Sequence, residues 1–372
     1  MKIVFVSGFL NNHLLPLCEE LNQRSEFTFI STQDWKDTSF NREALKKSYL
    51  IEYYLAENKK KCEIIISECD VALFGGSSSE LLELRKTTGK LSFIYTERLF
   101  KKGTWRRFIP SVYKINRKKF IEDNDSVYVL CASSYVPKDL ALIGFDISRC
   151  FRFGYFPFLD IKPLDTIKKS KQTETLELLY VGRLLKLKRV QDVVLCAKKL
   201  KDNNVIFRLN IIGDGPERKK LERLVKEKKL SDVVVFHGQK KTDEVFELMR
   251  KSRILFITSN YYEGWGTVVN EALSNGCAVI GSRACGSVAY LIKDGYNGFS
   301  YRMGNVQDMY EKTMTIIQSN DDSYYENAYN TIMQAWNAQI AAERIISISK
   351  QLLNDGLVQS HYSSGPMSSA TD

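Results

Sequence analysis

From Leu176 onward the chain alternates short apolar runs with amphipathic stretches. Leu176 to Val181, Val205 to Ile212, Val233 to Phe236, Ile254 to Thr258 and Ala278 to Gly281 read as buried strands. Helical patterns of roughly 10 to 15 residues separate most of them, which implies a parallel, doubly wound sheet. Such a sheet binds ligands beyond the carboxyl ends of its strands. The first half opens in the same way. Lys2 to Val6 reads as a buried strand, Ser7-Gly8 as a turn, and Asn12 to Asn22 as a helix carrying Leu14, Leu17, Cys18 and Leu21 on its apolar face. Strands follow at Phe27 to Ser31, Val71 to Phe74, Leu91 to Tyr95, Val127 to Cys131 and Arg149 to Phe153. Between them come a polar, helix-rich stretch from about Asn41 to Glu68, a helix capped by Ser77-Ser78-Ser79, and another near Pro137 to Ile143.

The pattern predicts an α/β protein of two Rossmann-like domains, and 372 residues give each its own core. The N-terminal domain is expected over 1–160 and the C-terminal one over 176–335. A linker over 161–175 is expected where Phe156 to Pro163 and a polar run break the periodicity. Tyr324 to Leu353 reads as helical with Trp336 midway, and 357–372, rich in Ser and Gly, as a disordered tail.

Within this frame one loop carries chemistry. Glu263-Gly264-Trp265-Gly266-Thr267-Val268 leads from the fourth of those strands into a short helix bearing Glu271. Two glycines let backbone approach a ligand, Thr267 can cap the helix, and a helix N-terminus behind a glycine loop seats an anion. The two carboxylates then remain to accept hydrogen bonds from hydroxyls. A molecule offering phosphate and several hydroxyls is a nucleotide sugar. An isolated glutamate at each end of a βα turn would be solvated surface, but Arg183 and Lys188 leave the carboxyl end of the strand Leu176 to Val181, toward the same side. Their planar fork and compact charge suit a diphosphate.

The Glu-x7-Glu spacing with its glycine loop, in register with Arg-x4-Lys, resembles the family-four retaining glycosyltransferases of GT-B fold, glycosyl transferases group 1. The similarity runs from about Leu176 to Gly304. It implies two domains facing a cleft, with Glu263 on the donor sugar, Glu271 on the ribose, and Arg183 and Lys188 clamping the diphosphate. Gly264, Trp265, Gly266, Thr267 and Val268 would line the donor site, Gln239 after His237-Gly238 would sit by the base, and Gly286-Ser287 would border the pocket. Gly8 and His13, in the first loop, become candidates for the donor phosphates and the acceptor side. Relatives carry a histidine near the loop at Thr96-Glu97-Arg98 and this chain has none, so Glu97 is the substitute and Arg98 a cleft-side residue. The last helix, 336–356, would cross back to the first domain. Catalysis would consist of stabilising the leaving diphosphate, the acceptor attacking from the leaving-group side, with no enzyme nucleophile, metal or cofactor. Gly213-Asp214-Gly215-Pro216 reads as a tight turn with Pro216 at the first helical position.

Composition limits the rivals. Eight cysteines form no C-x-x-C pair and three histidines lie far apart, so reduced thiols are expected and a metal site is not. The start is too short an apolar run for a signal peptide, so a cytoplasmic location is the expectation. The formal charge of +10 and pI near 9.0 predict an anionic partner. Nine basic and no acidic residues lie between Arg98 and Lys119, with aromatics interleaved. That stretch is either a solvated helix face or a docking surface for anionic lipid at the inner face of the membrane, suited to a glycan or lipid-linked acceptor. No recognition motif supports nucleic-acid binding. The rival readings are a nucleotide-sugar epimerase of the same fold and a basic nucleic-acid-binding protein. UDP is the default nucleotide, and bacterial surface-polysaccharide assembly the expected setting.

Overall fold

The computed structural model describes residues 1–34, 46–76, 79–122, 126–319, 321–356 and 360–371. The chain divides into two compact units, Met1–Phe158 with Trp336–Asp372, and Leu159–Ala335.

The first unit holds a parallel sheet of seven strands: β1 (Lys2–Ser7), β2 (Glu26–Ser31), β3 (Leu50–Glu52), β4 (Val71–Gly75), β5 (Ser92–Thr96), β6 (Val127–Cys131) and β7 (Cys150–Arg152). Their order is β3-β2-β1-β4-β5-β6-β7. The order reverses beside β1, where a doubly wound sheet opens a ligand crevice. Helices α1 (Leu15–Arg24), α2 (Lys59–Glu68), α3 (Ser79–Thr87), α4 (Pro110–Phe120) and α5 (Val136–Ala141) link the strands. Val4, Val6, Ala72, Phe74, Ile94, Val129 and Cys131 alternate along the strands and pack on Cys62, Ile66, Leu82 and Leu140 of the helices. Each fully buried side chain of this size is worth about 1.5 to 3 kcal/mol. Helix α1 starts later than Asn12 because Asn11 turns the chain first, its Oδ1 accepting from the amides of His13 and Leu14 at 3.0 and 3.1 Å.

The second unit repeats the plan. α6 (Leu164–Ser170) precedes β8 (Leu176–Val181), α7 (Val190–Asp202), β9 (Phe207–Ile212), α8 (Arg218–Glu227), β10 (Val234–Gly238), α9 (Thr242–Lys251) and β11 (Ile254–Ile257). Then come α10 (Val268–Ser274), β12 (Ala278–Ser282), α11 (Val288–Leu291), β13 (Gly298–Tyr301), α12 (Val306–Ser319) and α13 (Ser323–Gln334). Its six parallel strands lie in the order β10-β9-β8-β11-β12-β13, so the reversal falls beside β8. Leu178, Tyr180, Leu209, Ile211, Phe256 and Ile280 carry the core with Val190, Val193 and Leu200 of α7.

Five expectations need correction. The segment 161–175 is not a bare linker: α6 buries Ile167, and a Cβ on Gly276 would meet that side chain at 2.8 Å. The tail over 360–371 is ordered against β7, where Arg152 N donates to Ser368 O and Met367 N to Arg152 O, both at 2.8 Å. The helical stretch Tyr324 to Leu353 is two helices, α13 and α14 (Ala338–Asp355), with the chain returning to the first unit at Trp336. Pro216 precedes α8 rather than opening it. Strands β3 and β13 went unread: both are edge strands of three and four residues, too short for a periodic pattern to mark them. Ser77, Ser78 and the part of the polar stretch from Asn41 to residue 45 lie outside the described residues.

Candidate functional site

The second unit builds its site from the loops at the carboxyl ends of β8, β9, β11 and β12. Two of them touch backbone to backbone. Gly213, at φ 124°, passes so close to Gly182 that a Cβ would lie 2.1 Å from its carbonyl oxygen. Leu184 N donates to Asp214 O at 2.8 Å, which locks the turn carrying Arg183. Arg183 is exposed, and among the described residues its guanidinium has no carboxylate partner.

A turn of 3₁₀ helix over Lys186–Lys188 follows, then Arg189 in the left-handed region at φ 50°. Its guanidinium grips buried Asp192 through two bonds of 2.8 and 3.0 Å, holding the backbone that aims Lys188. Lys188 Nζ lies 2.5 Å from Glu263 Oε2. Thr258 Oγ1 donates to Lys188 O at 2.6 Å and Asn260 N to Leu187 O at 2.9 Å, so the β8 and β11 loops move as one piece. Glu263 accepts a further bond from Ser259 Oγ at 2.8 Å, and its side chain keeps 13% of its surface.

The glycine loop is pinned from the β12 side. Gly286 N donates to Gly264 O, Ser287 N to Trp265 O, and Cys285 Sγ to Trp265 O, at 3.1, 3.0 and 3.1 Å. Gly266 takes φ 81°, and a Cβ there would stand 2.7 Å from Cys285 Sγ. Among the described residues the amides of Gly266 and Thr267 donate to nothing, so they are available to an anion. Glu271 lies one turn further on. It keeps some surface, yet no described group bonds its carboxylate, and burial alone pushes its pKa up to about 7.

Two members of this loop act differently from expectation. Trp265 is 1% exposed and its Nε1 donates to Asn270 Oδ1 at 2.8 Å, so the indole is the loop's internal anchor and does not face a ligand. Thr267 stands at the N-cap position with no side-chain cap bond. Val268 opens α10, and Gln239 is exposed just past β10.

The first unit holds the other candidates. A cavity of about 290 Å³ at the ends of β1, β4 and β5 is lined by Ser7, Asn11, Gly75, Glu97, Lys119 and Tyr155 among others. Glu97 pairs with Lys101, and His13 stands with its ring 6.0 Å from that of Tyr155. Gly8 follows β1 and its carbonyl accepts from Ser31 Oγ at 2.9 Å. Arg98 departs from the cleft-side reading: it bonds buried Asp139 at 3.3 Å and covers Tyr135 at 4.7 Å, a structural role. Among the described residues no group of three His, Cys, Asp or Glu side chains could hold a metal ion.

Sequence reasoning missed Ser259, Thr258 and the Arg189–Asp192 pair, whose hydrogen bonds hold the loops of Lys188 and Glu263. The spacing Ser259-x3-Glu263 was a usable signal; a left-handed Arg189 was not.

Two parallel-sheet α/β units of this construction define the GT-B fold. The Anabaena protein HepE, solved with UDP and glucose, aligns with a TM-score of 0.66 over 95% of this chain and 100% of its own, at 16% identity. Residues 162–331 match the family model of glycosyl transferases group 1. The N-acetyl-alpha-D-glucosaminyl L-malate synthase of Bacillus anthracis is 29% identical over 180 residues, 48% of this chain and 45% of that one. The poly(glycerol-phosphate) alpha-glucosyltransferase of Bacillus subtilis is 23% identical over 230 residues, 61% and 32% of the two chains. The chain thus spans less than half the length of either relative.

Proposed function

We propose that the protein is a retaining glycosyltransferase that moves a hexose-type sugar from a nucleotide diphosphate sugar, UDP-linked by preference, to a glycan or lipid-linked glycan. The observation that carries this is the Lys188–Glu263 pair at 2.5 Å, set beside unpaired amides and exposed Arg183. When the glycosidic bond breaks, negative charge grows on the leaving diphosphate. Cations and amides fixed there beforehand stabilise that charge without reorganising. Lys188 and Arg183 supply it in this reading, so the transfer runs without a metal. A donor phosphate drawing on Lys188 leaves Glu263 free to accept from sugar hydroxyls, while Glu271 accepts from the ribose. Glu97, which lines the cavity of the first unit, is kept as a proposed catalytic residue. The Bacillus relatives are named for alpha-linked products, which is what retention from an alpha-linked donor gives. Assembly of bacterial surface polysaccharide, at the inner face of the cytoplasmic membrane, is the proposed setting.

Thermal-shift screening against UDP-, GDP- and ADP-sugars tests the donor. A ligand at 100 times its Kd adds about 2.7 kcal/mol, so UDP-sugars should raise the melting temperature. No shift with any nucleotide sugar contradicts the reading, and conversion of donor without acceptor would make the protein an epimerase.

A further inference from the structure

The segment after β5 is built to expose what a protein normally hides. Buried Phe100 and Phe120 anchor its ends in the core of the first unit, and the Arg98–Asp139 pair fixes its start. Between those anchors, Trp105 is 60% exposed, Phe108 74% and Ile115 66%. Of the five large apolar side chains at least 60% exposed among the described residues, these three share one short segment, while Phe158 and Ile206 stand apart in sequence. Trp105 and Phe108 lie three apart on a turn of 3₁₀ helix over Thr104–Phe108, a spacing that stacks side chains on one face. On α4, Ser111, Lys114, Ile115 and Lys118 form one exposed stripe.

The surrounding charge is of one sign. Lys101 and Lys118 have carboxylate partners, in Glu97 and Glu83, but among the described residues Lys102, Arg106, Arg107, Lys114 and Arg117 have none. Arg107 instead lies 4.6 Å from the Phe108 ring centre, and Arg117 5.8 Å from that of Tyr113. Apolar tips ringed by unneutralised cations match an anionic bilayer: acyl chains for the tips, phosphates for the ring. An exposed aliphatic Ile115 gives a nucleic-acid backbone nothing to bind.

We propose that residues 98–120 form a membrane-docking surface, with Trp105, Phe108 and Ile115 entering the headgroup–acyl boundary and the five cations seated on lipid phosphates. It gives the proposed lipid-linked acceptor a place to be met, but lipid binding is measured without turnover and stands or falls separately from the transfer reaction. Each such cation is worth roughly a fivefold gain in partitioning at low salt.

The test is flotation of the full chain with vesicles of phosphatidylcholine containing 30% phosphatidylglycerol, against pure phosphatidylcholine. The expected result is binding to the anionic vesicles alone, a blue shift of the Trp105 emission that a Trp105→Phe variant abolishes, and weakening as salt is raised. Replacing Trp105, Phe108 and Ile115 together by Ser should lower the partition coefficient at least tenfold, as should Lys102, Arg106, Arg107 and Lys114 changed to Glu. Both variants should keep the parent's melting temperature and far-ultraviolet circular dichroism without ligand, which shows that they fold. Equal binding to both vesicle types, unchanged binding by either variant, or retention of single-stranded RNA in place of vesicles overturns the proposal.

Discussion

At the residue scale, Lys188 and Glu271 make opposite demands on their surroundings. Lys188 is a charge held ready, so Lys188→Ala should raise the donor KM and lower kcat, with kcat/KM falling roughly 100- to 1,000-fold. Parental kinetics in that variant would remove the diphosphate clamp from the account. Glu271 is a charge suppressed. Its folded-state pKa of about 7 lies above the ordinary carboxylate value, so the folded protein binds a proton that the unfolded chain releases. The stability this contributes is complete below about pH 4, falls as pH rises, and is gone above about pH 7.5. A pH series of melting temperatures should therefore slope downward from pH 5 to 7.5 in the parent relative to Glu271→Gln, and parallel curves would contradict it. The glutamates, Arg183 and Lys188 were legible in the sequence because spacing fixes which loops carry them. The inward turn of Trp265 was not, since Gly-Trp-Gly reads alike whether the ring meets a ligand or Asn270.

At the scale of elements, the strands buried on both faces were readable as apolar runs, whereas β3, β13, α6 and the tail depend on partners distant in sequence. Arg85 shows why. On α3 it reads as a surface cation, yet it is fully buried and donates to the carbonyls of Ile66, Cys69, Asp70 and Leu91 at 2.8 to 3.0 Å. It ties the end of α2 to β4 and β5, and no local pattern announces that. Arg85→Met strips four carbonyls of a donor and should cost about 3 to 5 kcal/mol, measured by urea unfolding; a loss under 1 kcal/mol, about the worth of one hydrogen bond, would deny the tie. Gly213→Ala offers a second check. Its Cβ has no room beside Gly182, so both loops must part, and nucleotide-sugar affinity should fall together with stability. The tail makes a third: the amides of Arg152, Met367 and Ala370 should exchange slowly with deuterium, while rapid exchange would return 360–371 to a frayed terminus.

At the scale of the whole molecule, two parallel sheets carry different tasks. The second unit carries Arg183, Lys188, Glu263 and Glu271 on its loops, proposed as the donor seat; the first carries the cavity around Glu97 and the cationic, apolar segment after β5. Nine basic and no acidic residues lie between Arg98 and Lys119, the densest part of a chain whose formal charge is +10. Titration calorimetry of a UDP-sugar and, separately, of UDP into the full chain, its Lys188→Ala variant and its Glu263→Gln variant tests the centre of this account most directly. The account predicts tight binding by the parent, loss of at least tenfold on removing Lys188 for both the UDP-sugar and UDP, and loss confined to the sugar-bearing ligand on changing Glu263. Equal affinities in all three proteins would contradict it.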